Sequence, residues 1–106
     1  MSQFHKLVRD KIPEIIRLRG ATPHVRFLNE KDFYASLLEK LHEEITEFEV
    51  NPSVEELADV CEVLHGLALS LGIPFGGIEQ ARLRKYEERG GFEQRILLEG
   101  IDEPPL

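Results

Sequence analysis

The chain has 106 residues, 42% of them hydrophobic, and a formal net charge of −7. That suits one globular domain and argues against general binding to a nucleic-acid polymer, which requires a basic surface. No apolar run approaches the roughly 20 residues that span a bilayer, and the opening MSQFHKLVRDK is charged rather than signal-like, so a cytoplasmic protein with no membrane partner is expected.

Charge is unevenly distributed along the chain. Residues 27–81 hold twelve acids against two bases, Lys31 and Lys40, whereas residues 1–26 hold six bases and residues 82–95 five. Acidic side chains in the middle suit a metal ion, and basic ends suit the oxygens of a polyanion. The lone Cys61 cannot form an internal disulfide, and amid Val60, Val63 and Leu64 it reads as a small core residue.

In chain order, Asp10 is placed to cap a first helix over about Lys11 to Arg19, with Pro13 in its first turn and Gly20 at its end. His24 to Leu28 alternates as a short strand would. Asn29 then opens a second helix whose stripe of Phe33, Leu37, Leu41, Ile45 and Phe48 faces a core, running to about Val50. Two residues compete to start the third helix: Asn51 before Pro52, and Ser53 in a capping box with Glu56. Pro52 already has the φ of a first helical residue, so Asn51 is the expected cap.

The third helix runs to about Leu71, with Val54, Leu57, Ala58, Cys61, Leu64, Ala68 and Leu71 on its main apolar side and Val60, Val63 and Leu67 on a second strip. A fourth helix follows Pro74-Phe-Gly-Gly77 and ends near Arg89, and Phe92 to Leu98 could pair as a strand with residues 24–28. The expected fold is therefore all-α, a single-domain four-helix bundle with a short two-stranded β pair.

The chemistry concentrates on the second and third helices. Glu44 and Glu47 are three residues apart, as are Glu56 and Asp59, so each pair shares a helix face, and a short loop would bring the pairs together. Four facing carboxylates repel unless cations sit among them. Hard oxygen ligands suit Mg²⁺ or Mn²⁺ better than zinc, which points to a metal-loaded pocket that handles phosphates.

The segment KLHEEITEF followed by EELADVCEVL resembles the paired-acid motif of the MazG-like all-α NTP pyrophosphohydrolases. KLVRDKIPEII and KYEERGGFEQRILLE look like the phosphoribosyl-ATP pyrophosphohydrolase-like subgroup, and together these segments cover most of the chain. The resemblance implies metal ligands at Glu44, Glu47, Glu56 and Asp59, with Glu43 as an auxiliary acid. It also implies Mg²⁺-dependent hydrolysis of a nucleoside triphosphate to monophosphate and pyrophosphate, on a house-cleaning or phosphoribosyl nucleotide substrate, by a homodimer or homotetramer. In such a mechanism Glu44 or Glu47 takes the proton of the attacking water, and Lys85, Arg89, Lys11, Arg9 and Lys6 are the candidates for binding phosphate.

Two other classes compete with this reading. Glu39-x-x-His42 and Glu62-x-x-His65 match the carboxylate and imidazole element of di-iron bundles, although the first pair falls on the solvent side of its helix. A non-catalytic acidic helical module that binds or oligomerises is the other.

Overall fold

The computed structural model describes residues 5–105. Among them are four helices, α1 (Ile12–Leu18), α2 (Glu30–Val50), α3 (Val54–Ser70) and α4 (Phe75–Arg89), and no strand. The chain is all-α. It divides into two compact units, Met1–Phe75 and Gly76–Leu106. No single helix among the described residues is long and apolar enough to cross a membrane.

The expected β pair does not form. Residues 24–28 carry no ladder, and Val25 and Phe27 project outward, Phe27 at 97% exposure. Residues 92–95 fold into a turn closed by the Arg95 amide donating to the Phe92 carbonyl, with Arg95 at φ 57°. A turn at that point interrupts the alternation that a strand from 92 to 98 requires.

In the first unit the two long helices pack on one another, joined by Asn51 to Ser53. Asn29 caps α2 as expected, its side chain accepting from the Asp32 amide at 2.8 Å. The cap of α3 is Ser53, not Asn51: the Ser53 hydroxyl accepts from the Glu56 amide at 3.2 Å. Asn51 is already committed as the C-cap of α2, its amide donating to the Glu47 carbonyl, and like most residues before proline it lies outside the helical region, at φ −135° and ψ 80°. Asp10 caps nothing either; Lys11 holds the N-cap position of α1 and makes no side-chain capping bond.

Gly20 and Gly72 close α1 and α3 in the same way. Each has a positive φ, with its own amide and the next one reaching back to carbonyls of the last turn.

The core of this unit is small. Leu37 on α2 and Val63 on α3 are buried, and a Cβ added to Gly66 would come within 2.7 Å of a Leu37 methyl, so the missing side chain at 66 is what admits Leu37 between the helices. The strip that α3 turns toward α2 is the one holding Glu56, Asp59, Val60, Val63 and Leu67, all buried or half-buried. Much of the larger apolar strip faces outward: Val54, Leu57, Leu64 and Leu71 are exposed, and so is Cys61, which is not a core residue. Ile45 on α2 is likewise exposed, whereas Phe33, Leu37, Leu41 and Phe48 are turned inward. On α3 the polar border of the larger apolar strip, rather than its centre, thus meets α2, whereas α2 turns most of its own stripe inward.

Candidate metal centre

Because the acid-bearing strip of α3 faces α2, three carboxylates from two helices converge. Glu44, Glu56 and Asp59 each offer an oxygen within 4.8 Å of the others'. Glu44 is 6% exposed, and its Oε2 has no hydrogen-bond partner; Glu56 Oε2 is also buried and unpartnered. Nearly all buried polar atoms in folded proteins are paired, so unpartnered carboxylate oxygens on two facing helices mark a cluster whose chemistry suits a cation. Burial is the main reason that the Glu44 carboxyl lies above its ordinary pKa of 4.5, with the negative charge of Glu47 adding to it and Lys40 opposing both.

Glu47 is exposed and lies outside this triad, close enough to Glu44 to repel it. Glu43 also lies outside and is held by two lysines, Lys40 at 3.4 Å and Lys6 at 3.5 Å. Lys40 reaches Glu44 as well, again at 3.4 Å, and its side chain is only 20% exposed. Sequence reasoning overlooked Lys40 as part of the site, although its spacing of three and four from Glu43 and Glu44 puts it on their face. Arg9, in the segment before α1, donates from Nη2 to Asp59 Oδ1 at 2.7 Å.

These contacts set the local charge. Five carboxylates (Glu43, Glu44, Glu47, Glu56 and Asp59) meet three cations (Lys6, Arg9 and Lys40), which leaves two negative charges unbalanced when all are ionised. One divalent ion would cancel them. Three carboxylates from two helices, two of them with an unpartnered buried oxygen, fit a hard cation such as Mg²⁺ or Mn²⁺.

No family model matches the chain. No solved structure matches it either. Over 42 residues it is 50% identical to an uncharacterized protein of Mycolicibacterium smegmatis; the match covers 40% of this chain and 43% of that protein, so the chain spans less than half of that relative's length.

The remaining candidates are distributed more widely. Lys11 is exposed beside α1 and forms no ion pair among the described residues. Lys85 and Arg89 belong to the second unit. There Arg89 lines a cavity of about 280 Å³ with Tyr86, Gly91, Glu93 and Gln94, and the Tyr86 hydroxyl donates to Glu93 at 3.3 Å. Arg82, on the same face of α4, is engaged by Glu79, which holds the Glu79 carboxyl below its usual range. Neither Glu-x-x-His pair joins the metal-capable group. Glu39, His42 and Glu62 are exposed, and the ring of His65 stacks on Phe75 with centroids 3.4 Å apart.

Proposed function

We propose that this chain is a MazG-like, divalent-metal-dependent nucleoside triphosphate pyrophosphohydrolase of the cytoplasm. The observation that carries the reading is the buried Glu44 with its unpartnered Oε2, converging with Glu56 and Asp59. The paired-acid motifs supply the class of reaction. Glu44, Glu56 and Asp59 would hold Mg²⁺ or Mn²⁺. A cation bound there acidifies a water and offsets charge on phosphate oxygens.

The protein's own residues do the rest. Glu47, exposed and outside the triad, is the acid left to take the proton from the attacking water. The water oxygen bonds to the α-phosphorus, the bond to the bridging oxygen breaks, and pyrophosphate departs with the electron pair. Arg9 and Lys6 stand at the acidic site, so the charge of the polyphosphate meets guanidinium and ammonium there. Lys11, in the same unit as the triad, carries no ion pair among the described residues and supplies a further cation for the phosphate chain. A second copy of the chain would cover Leu57, Leu64 and Leu71 on the outer strip of α3, and the exposure of those residues supports a homodimer or homotetramer.

The test is a panel of NTPs and dNTPs incubated with Mg²⁺ and assayed for pyrophosphate, with Asp59→Asn beside the unmodified protein. Pyrophosphate release that disappears in Asp59→Asn supports the hydrolase. Orthophosphate alone would mean that a different anhydride is cut, and no product from any nucleotide would favour a non-catalytic acidic module.

A further inference from the structure

We propose that Arg9 is a latch exchanged by the metal: its guanidinium holds Asp59 while the site is metal-free, and passes to the phosphate chain once a divalent cation takes Asp59. The inference rests on the triad being a metal site, as proposed above. Its own evidence is geometric. Asp59 is claimed twice, because its carboxylate both accepts from Arg9 Nη2 at 2.7 Å and offers an oxygen to the triad with Glu44 and Glu56. Glu44 does not relieve that competition: Lys40 reaches its Oε1 at 3.4 Å, while its buried Oε2 has no partner.

The latch is built to be released. The Arg9 side chain is 54% exposed and that of Asp59 40%, so solvent screens the pair and its bond is weak beside that of a divalent ion to three carboxylates. Arg9 lies outside any helix, in the segment preceding α1, so the guanidinium can move without unwinding an element. Lys6, three residues earlier, is held on Glu43, an acid outside the triad, so that end of the segment stays docked at the site when Arg9 lets go. A freed guanidinium beside a bound cation then presents a planar fork of donors to phosphate oxygens. Metal and polyphosphate would therefore bind cooperatively through one side chain, beyond any chelation between them.

The consequence is a change of opposite sign in two affinities, which a merely structural Arg9 would not produce. Titration calorimetry on the full chain with Mn²⁺ alone, and then with inorganic tripolyphosphate in saturating Mn²⁺, reads both. Arg9→Ala should bind Mn²⁺ about two- to five-fold more tightly, because a competing cation is gone. It should bind tripolyphosphate roughly tenfold or more weakly, because a charge-assisted donor is gone. Lys6→Ala serves as a control for the general field and should change Mn²⁺ affinity less than Arg9→Ala does.

Arg9→Ala binding Mn²⁺ equally or more weakly, matching Lys6→Ala, or keeping full tripolyphosphate affinity would overturn the latch while leaving the metal site standing. Absence of Mn²⁺ binding by the unmodified protein would overturn the site and the latch together.

Discussion

Replacing Glu44 by glutamine removes one charge from a site where the ionised carboxylate is disfavoured, and the metal-free and metal-loaded proteins should respond in opposite directions. Without metal, the unmodified protein buries a carboxylate oxygen with no partner, at 6% residue exposure, next to the charge of Glu47. An unsatisfied buried polar group costs about 1–3 kcal/mol. Glutamine removes the repulsion and brings a donor, at the loss of the Lys40 contact, while Lys40 keeps Glu43 at 3.4 Å. A net gain of about 1 kcal/mol corresponds to roughly 4–8 °C in Tm for a domain of this size.

With Mn²⁺ at one hundred times Kd, the unmodified protein should gain about 2.7 kcal/mol, or roughly 10 °C or more. Glu44→Gln, lacking one anionic ligand, should lose most of that gain. Differential scanning calorimetry with EDTA and with Mn²⁺ measures both effects.

The dependence on pH gives an internal check. Glu44 has a folded pKa above its ordinary 4.5, so between those values the folded chain holds a proton that the unfolded chain has released. Its contribution to stability therefore falls as pH rises through that window, and below about 4.5 both states are protonated. The Tm advantage of Glu44→Gln in EDTA should open as pH climbs past about 4.5, the ordinary carboxyl value, and level off above the folded pKa. A variant that melts lower than the unmodified protein in EDTA, or that retains the full Mn²⁺ shift, would refute the proposed assignment of Glu44 as a buried metal ligand.

Two further outcomes bear on the fold and assembly. Ser53→Ala removes the hydroxyl that satisfies the Glu56 amide and should destabilise the protein by about 1 kcal/mol in urea unfolding, whereas Asn51→Ala should cost less because its side chain caps neither helix. Leu64→Glu places a charge on the exposed strip of α3; sedimentation velocity should show the proposed homo-oligomer shifting toward monomer, with the Mn²⁺-induced rise in Tm retained because Leu64 lies outside the triad.

The sequence by itself determined the helices and the chemical character of the site. Periodic apolar residues fixed the presence of α2 and α3, Pro74 and the glycines around 76–77 and 90–91 bounded α4, and spacing alone placed Glu44, Glu56 and Asp59 on faces that could meet, since residues three apart on a helix must share a side. Local competition was harder to read. Asn51 and Ser53 are both good caps, and the choice fell to Ser53 because Asn51 ends α2, a fact that depends on where the preceding helix stops.

Only the tertiary structure decided which strip of α3 turns toward α2. Periodicity ranks strips by apolar content and favoured the one with Leu57, Leu64 and Leu71; packing instead chose the strip where Gly66 admits Leu37, because close approach of two backbones depends on shape as well as hydrophobicity. That choice brings Glu56 and Asp59 to Glu44. Arg9, 50 residues from Asp59 in sequence, and the burial that strands Glu44 Oε2 could be seen only once the chain had folded, since no local pattern encodes contacts between distant segments or the loss of water around a carboxylate.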